Sequence, residues 1–246
     1  MKIYLATNLI WRTKDIFGAF CPYKLNLFFQ MPKLTYFALH GRATHIRLLL
    51  KHAGKEYEEV TPGQNGAAAW PEMKAANSSL GGLPWYEKDS KKYNQSHAIL
   101  RALASENGYQ SSDPWVQYES DWVFETFQDC LKPEYLIPMV RGQDATDDQC
   151  NASKELFCKL IDILEDRFKD GRKYCAGDQI TASDFKLLAE IVACVENPKG
   201  RNQAFNDALN SEYVKRVNVK RICETVKGEN GLAAYIEELN TKNYTF

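Results

Sequence analysis

The chain has 246 residues, of which 44% are hydrophobic and 26% are charged, and its formal net charge is −1. These values are typical of a globular protein with its own core, and without a run of Lys or Arg they give no support to a nucleic-acid partner. No apolar run approaches the about 18 residues of a membrane span, so no membrane partner is expected.

Residues 1–30 do not predict a regular element. They include Trp11, Phe17 and Phe20, which makes them too apolar for a simple disordered tail, yet they show no clean period. Three interpretations stay open: a targeting segment, a packed extension, or a stretch upstream of the mature protein. We favour the last, and we place a domain start at Met31.

A strand–helix–strand order is predicted next. Residues 34–39 form a buried-strand run, and residues 43–53 carry apolar side chains at helical spacing before Gly54. Residues 56–60 predict a second strand. A helix between two strands implies a parallel crossover.

A hairpin is predicted after a short helix or structured loop at residues 70–76. Residues 83–88 and 91–94 predict two strands around Asp89-Ser90, a pair typical of a tight turn. Ser96 then begins a helix that runs through Ala104. This part of the chain therefore predicts an antiparallel pair followed by a helix.

The polar segment 107–113 is the best domain boundary in the sequence. Asp113 and Pro114 occupy the positions of an N-cap and a first helical residue. Beyond them only helices are predicted, including one that opens with a capping box from Thr181 to Asp184. Residues 196–230 are polar and hard to assign. The prediction is an extension at 1–30, an α/β domain at 31–108 and an all-helical domain at 113–246.

Five short motifs accompany this order of elements. They are Lys33-Leu34-Thr35-Tyr36-Phe37 with Gly41-Arg42-Ala43, Trp70-Pro71-Glu72-Met73-Lys74, Gly81-Gly82-Leu83-Pro84, Gln95-Ser96, and the segment 121–129 with Asp121, Glu125 and Asp129 on one helix face. From about Pro32 onward the chain resembles the cytosolic glutathione transferases, most closely the sigma/mu type. The resemblance implies a thioredoxin-like N-terminal domain followed by an all-α domain. It also implies glutathione as co-substrate, no metal, a homodimer and a cytoplasmic location.

The resemblance makes Tyr36 the catalytic tyrosine and Arg42 its neighbour at the start of the first helix. A free thiol has a pKa of about 8.5, so only a few per cent is thiolate at pH 7. A hydroxyl that donates a hydrogen bond to the sulfur favours the anion, and a nearby guanidinium adds positive potential. The alternative is that Tyr36 is an ordinary strand aromatic.

The next two motifs would bind the rest of glutathione. Trp70 and Lys74, a donor and a cation, would reach the glycine carboxylate. Gly82, Leu83 and Pro84 resemble the loop before a cis-proline, where the Leu83 backbone would pair with the cysteinyl backbone. Many relatives have Gln or Lys in place of Gly82, so one side-chain contact is missing here. The alternative for Trp70 and Lys74 is a surface Trp and a solvated Lys.

Gln95 and Ser96 form the most specific motif. A helix N-terminus at Ser96 would receive the γ-glutamyl carboxylate, with Gln95 beside it and Ser96 as a helix cap. Asp129 matches a residue that crosses the dimer interface to the γ-glutamyl amine. Its alternative is a solvated acidic face.

The seven cysteines do not suggest a disulfide framework or a zinc site, and none lies between Pro32 and Asp129. A thioredoxin-like domain without cysteine cannot exchange thiols through its own sulfur, which argues against a glutaredoxin or a cysteine-dependent transferase. We therefore predict a glutathione transferase acting on hydrophobic electrophiles. The pocket for the electrophile is predicted to be apolar, walled by Phe37, Leu39, Tyr135 and the C-terminal helix. A glutathione-dependent isomerase of the prostaglandin D synthase type and a non-catalytic, crystallin-like relative are the alternatives.

Overall fold

A mixed four-stranded sheet occupies the first part of the computed structural model, which describes residues 30–130 and 132–242. The strands are β1 (Lys33–Thr35), β2 (Glu58–Val60), β3 (Trp85–Lys88) and β4 (Lys91–Tyr93). Their spatial order is β2-β1-β3-β4, with β1 parallel to β2 and antiparallel to β3. The predicted extension lies outside the described residues, apart from Gln30.

The predicted crossover and hairpin are both present. Helix α1 (Thr44–His52) follows a 3₁₀ turn at Gly41–Ala43 and connects β1 to β2. The β3–β4 turn places Asp89 at φ 51° and Ser90 at φ 62°, the left-handed pair that a two-residue hairpin with the twist of its strands requires. The predicted first strand was too long, because the chain turns toward α1 after Tyr36.

Only helical elements and turns follow the hairpin among the described residues. The helices are α2 (Trp70–Ala76), α3 (Ser96–Asn107), α4 (Pro114–Cys130), α5 (Ile137–Arg141), α6 (Asp147–Arg167), α7 (Ala182–Glu190), α8 (Gln203–Tyr213), α9 (Val217–Lys227) and α10 (Leu232–Thr241). Helix α7 continues into a π-helical segment, Ile191–Val195. The predicted start of α4 is confirmed, since the Trp115 amide donates to the Asp113 carboxylate at 2.8 Å.

Helix α1 lies at the centre of the compact unit formed by Met31–Phe246. It packs against α3 on one side and against α7 on the other, and only Lys51 of its nine residues is exposed. One hydrophobic core therefore runs from the sheet into the helical region. The division into domains at 31–108 and 113–246 stays a prediction.

The capping box at the start of α7 is confirmed. The buried Asp184 carboxylate accepts hydrogen bonds from the amides of Thr181 at 2.7 Å and Cys175 at 2.8 Å. It thereby fixes the start of α7 and the preceding loop in one arrangement. No described helix combines the length and apolarity needed to cross a membrane.

We expect Asp184→Ala to lower the free energy of unfolding by about 2–4 kcal/mol, because a helix cap is lost and the buried Cys175 amide is left without its acceptor. Urea unfolding monitored by circular dichroism measures the change. Asp148→Ala, which removes an acidic side chain from the first turn of α6, is the control and should change stability by less than about 1 kcal/mol. Equal effects of the two substitutions would contradict the assigned role of Asp184.

Candidate active site

Tyr36 directly follows β1 and is 7% exposed. Its amide donates to the Val60 carbonyl at 3.1 Å, so the backbone hydrogen bonds between the two strands continue one residue beyond β1. Its hydroxyl oxygen accepts a hydrogen bond from the Arg42 backbone amide at 3.0 Å. Tyr36 is therefore fixed twice: the sheet holds its backbone, and the turn before α1 holds its hydroxyl.

Gly41 makes this hydrogen bond possible. It has φ +41°, and a Cβ atom built on it would lie 2.6 Å from the Tyr36 hydroxyl and 2.6 Å from Leu39 Cδ1. A residue with a side chain would have to displace the phenol as well as adopt a left-handed backbone. The missing side chain of Gly41 thus leaves room for the Tyr36 hydroxyl, a steric role that the family motif alone does not reveal.

Burial raises the pKa of the Tyr36 hydroxyl above its usual value, while the hydrogen bond from Arg42 and the charges of Arg47 and Arg42 act in the opposite direction. The net shift is upward, so the phenol is protonated at neutral pH. A tyrosine hydroxyl has one donor hydrogen and two acceptor lone pairs. With one lone pair used by Arg42, the hydrogen is available to a ligand atom.

Arg47 fixes the loop between Tyr36 and α1. Its buried guanidinium donates to the carbonyls of Leu39 at 2.9 Å and His40 at 3.2 Å and pairs with the carboxylate of Glu59. It also lies 5.6 Å from the centre of the Tyr36 ring. One buried cation therefore ties the loop that follows Tyr36 to β2.

An aromatic row connects Tyr36 to the second and third motifs. The Phe37 ring is 5.9 Å from Tyr36 and 5.8 Å from Trp70, and Trp70 is 5.5 Å from Trp85. Helix α2 is not buried, so Lys74 reaches solvent and its side chain is free to meet an anion.

The third motif has the predicted backbone. The Leu83–Pro84 peptide is cis. Pro84 is buried and Leu83 packs against the core, while Gly82 is exposed. The Leu83 backbone thus lies at the start of β3, beside the aromatic row.

Gln95 and Ser96 differ from the prediction in one respect. Helix α3 begins at Ser96, so Gln95 is the N-cap residue, and no side chain caps the helix. Gln95 has φ 66° and ψ 103°, a conformation that is rare for a residue with a side chain and that clusters at functional sites. The first amides of α3, at Ser96 and His97, have no acceptor within the helix, which leaves them available to an anion.

The three acidic residues on one face of α4 have different surroundings. Arg101 of α3 pairs with Asp121 at 3.0 Å and with Glu125 at 3.6 Å. Asp129 is exposed near the end of the helix. The first two acids therefore hold α4 against α3, and the role of Asp129 as a ligand contact stays a prediction.

A cleft of about 200 Å³ joins Arg42 and Ser96 to the helical region. Its remaining lining is Gly41, His45, His97, Phe127, Gln128, Tyr135, Leu136, Lys186, Ala189, Glu190, Ala193 and Cys194. Of the walls that the sequence predicted, Tyr135 lines this cleft, whereas Phe37, Leu39 and the C-terminal helix α10 do not. The prediction of an apolar lining does not hold either, because Lys186 and Glu190 bring charges into the cleft.

Lys186 and Glu190 were not predicted as site residues from the sequence. Both lie on α7 among the apolar residues Phe185, Leu188 and Ile191, one helical turn apart. An opposite-charge pair at i, i+4 inside an otherwise apolar helix was the available signal. His45 was also missed as a site residue; its ring nitrogen Nε2 lies 3.3 Å from the Ser96 carbonyl oxygen, on the inner side of the α3 N-terminus.

Comparisons with known proteins agree on the family. The family model "Glutathione S-transferase, N-terminal domain" matches residues 32–105. The chain is 33% identical over 156 residues to hematopoietic prostaglandin D synthase of Gallus gallus, a match that covers 62% of this chain and 74% of the relative. It is 35% identical over 175 residues to probable glutathione S-transferase 5 of Caenorhabditis elegans, covering 65% of this chain and 81% of the relative.

Solved structures confirm the predicted fold, a thioredoxin-like domain followed by helices. The crystal structure of the glutathione S-transferase from Ascaris lumbricoides superposes with a TM-score of 0.70 at 22% identity, covering 87% of this chain and 100% of that chain. A structure of a monomeric glutathione S-transferase from the hookworm Necator americanus gives a TM-score of 0.66 at 23% identity, covering 85% and 97%. At these identities the likeness concerns the fold alone.

We expect Gly41→Ala to reduce turnover strongly, because the added methyl group occupies the space of the Tyr36 hydroxyl. The strained backbone adds a loss of stability of roughly 1–3 kcal/mol. Gly54→Ala is the control: Gly54 has φ +62°, but a Cβ atom there meets nothing within 4 Å. It should lose stability and keep activity. If both variants lose activity equally, backbone strain rather than contact with Tyr36 explains the effect.

Proposed function

This chain belongs to the glutathione S-transferase family, and from that premise we propose that Tyr36 activates the thiol of glutathione for attack on a hydrophobic electrophile. One observation carries the proposal: the protonated Tyr36 hydroxyl accepts from the Arg42 amide at 3.0 Å and keeps its own hydrogen to donate. The chain would act as a glutathione transferase with a role in detoxification.

Activation of the thiol requires only a modest free energy. Lowering a thiol pKa by two units requires about 2.7 kcal/mol of preferential stabilisation of the thiolate. A hydrogen bond to a charged group supplies about 1.5–3 kcal/mol, and the Arg42 guanidinium adds positive potential. The thiol proton leaves to solvent, the thiolate forms a bond to the electrophilic carbon, and the leaving group departs with its electron pair.

The remaining site residues would hold glutathione along the edge of the sheet. The γ-glutamyl carboxylate would lie at the N-terminus of α3, on the Ser96 amide and hydroxyl with Gln95 beside it. The cysteinyl backbone would pair with Leu83 ahead of Pro84. Gly82 offers only its backbone, which leaves this end of the site open.

Polar and charged side chains would bind the two ends of glutathione, the glycine carboxylate and the γ-glutamyl amine. Trp70 and Lys74 would donate to the glycine carboxylate, since both carry hydrogen-bond donors; Trp70 is half-buried in the aromatic row, and Lys74 is exposed on the same helix. Asp129 of a second copy would accept from the γ-glutamyl amine in a homodimer. A homodimer in the cytoplasm is our proposal for the working state, although one structural neighbour is described as monomeric.

A second candidate function is a glutathione-dependent isomerase. The similarity to the Gallus gallus prostaglandin D synthase favours it, because that enzyme's name describes an isomerisation product rather than a conjugate. The same activated thiolate would attack the substrate and later be released unchanged. Incubation with prostaglandin H2 and glutathione, followed by product analysis, separates the two functions, since only a transferase consumes glutathione stoichiometrically.

We expect Tyr36→Phe to bind glutathione nearly as well as the original chain, and to raise the pKa of the bound thiol by about one to two units. Turnover of chlorodinitrobenzene should then fall about 10–100-fold at neutral pH and recover as the pH rises, because more thiolate forms without help. Thiolate absorbance measured against pH reports the shift directly. Tyr86→Phe, a buried tyrosine of β3, is the control and should behave like the original chain. Unchanged thiol titration in Tyr36→Phe would remove Tyr36 from its role.

We expect Ser96→Ala to raise the dissociation constant of glutathione about 5–10-fold, the effect of one lost hydrogen bond to a carboxylate. Isothermal titration calorimetry measures it. Ser105→Ala, at an exposed position of the same helix, is the matched control and should bind as the original chain does. Identical affinities in both variants would place the γ-glutamyl carboxylate elsewhere.

A further inference from the structure

The cleft beside Arg42 and Ser96 contains a nearly buried ion pair. Lys186 Nζ lies 3.3 Å from Glu190 Oε2, and the two side chains are only 11% and 12% exposed. The pair lies between helices, among apolar residues of α7. Removing two charges from water is costly, and well-packed apolar residues commonly stabilise such a position at least as well. Stability alone therefore does not explain why two charges are buried here, whereas binding of a charged ligand does.

The contacts around the pair leave donors unused. Glu190 is engaged through both oxygens, since Oε1 accepts from the Cys194 thiol at 3.2 Å while Oε2 faces Lys186. Lys186 has three donor hydrogens, and its nitrogen also lies 4.4 Å from the centre of the Phe127 ring. Glu190 is the one ion-pair partner of Lys186 within residues 30–130 and 132–242. The ammonium group can therefore accept a second anionic partner from the cleft.

Tyr135 adds a second, independent donor. Its side chain is fully buried and lines the same cleft, and its hydroxyl has no aligned hydrogen-bond partner in the described part of the chain. It lies near Cys194 and Glu190, and burial raises the pKa of the hydroxyl, which stays protonated. The hydroxyl is shielded from water, so its hydrogen goes to Cys194, to Glu190 or to a ligand atom in the cleft.

The cleft as a whole is positive. His45 and His97 are neutral at physiological pH, because burial and the nearby Lys186 charge lower the pKa of each, to about 4 for His97. The charged groups in the lining are then Arg42, Lys186 and Glu190, which sum to one positive charge. With the Arg42 charge facing the thiolate of glutathione, the Lys186 ammonium is the cation in this lining that a substrate anion would meet, and the apolar side chains of Phe127 and Leu136 would pack against an organic body.

We propose that the second substrate of this enzyme is an apolar electrophile that carries a carboxylate, and that Lys186 and Tyr135 bind this carboxylate. The inference rests on the proposed function, because it assumes that the cleft next to Arg42 receives the molecule that glutathione attacks. The carboxylate does not react. It orients the ring or chain so that the electrophilic carbon faces the sulfur near Tyr36.

The test compares two glutathione conjugates that differ only in this group. One is the S-conjugate of 4-chloro-3,5-dinitrobenzoate, and the other is the S-conjugate of its methyl ester. Isothermal titration calorimetry gives the ratio of their dissociation constants without requiring turnover. We expect the original chain to bind the acid conjugate at least tenfold more tightly than the ester, the effect of one charge-assisted hydrogen bond.

Substitutions at the pair decide the origin of this preference. Lys186→Met should reduce the acid-to-ester preference about tenfold, and Lys186→Arg should restore most of it. Because Lys186→Met leaves Glu190 buried and unpaired, the double variant K186M/E190Q provides a neutral cleft and should show the same loss. Lys169→Met, which removes an exposed lysine paired with Asp166 on the surface, is the matched control and should keep the preference.

Two results would overturn the inference: no preference for the acid conjugate in the original chain, or a preference that persists in both Lys186→Met and K186M/E190Q. Failure of the proposed function has a different signature. In that case chlorodinitrobenzene is not conjugated and Tyr36→Phe leaves the thiol titration unchanged, whatever the two conjugates show. The two failures are thus read from separate measurements.

Discussion

The hydrogen bond from the Arg42 amide to the Tyr36 hydroxyl joins the end of β1 to the start of α1, and the proposed active site depends on it. It exists because Gly41 adopts φ +41° and has no side chain in the space that the phenol occupies. The bond orients the tyrosine and at the same time uses one of its lone pairs. In the proposed function the remaining hydrogen would be donated to the glutathione sulfur without any rearrangement, which is how a preorganised donor stabilises a developing or bound anion.

Helix α1 connects the hydrogen bond between Arg42 and Tyr36 to the rest of the molecule. It is buried between α3 and α7, yet it contains the polar residues His45, Arg47 and His52. Each makes a specific contact: His45 with the Ser96 carbonyl, Arg47 with Glu59 and the loop before α1, and His52 with the Tyr109 hydroxyl at 2.7 Å. Buried polar groups with partners fix one packing arrangement, because any shift would leave them unsatisfied. The position of Tyr36 is therefore set by contacts on several sides of one helix.

The sequence predicted the parallel crossover, the hairpin and the starts of α3, α4 and α7, because helical spacing, turn residues and caps are local signals. It did not predict the conformation of Gln95, since nothing in Asn94-Gln95-Ser96 marks a left-handed residue. It left residues 196–230 unassigned for a similar reason. Helix α9 begins where the Glu165 carboxylate of α6 accepts from the amides of Asn218 and Val219 at 2.9 and 3.0 Å. That cap comes from another helix, and local patterns cannot reveal it.

The two halves of the site differ in how they depend on side chains. The proposed glutathione half would rely largely on backbone groups: the Arg42 amide, the first amides of α3 and the strand start at Leu83. A departure such as Gly82 would be tolerated there because the backbone contacts remain. The second half is built from side chains of α7 and its π-helical continuation, a local irregularity that often marks functional sites. If the proposed roles hold, a pair such as Lys186 and Glu190 would change what the thiolate attacks and leave its activation intact, so the tyrosine motif would be shared across substrates while α7 would set the choice of substrate.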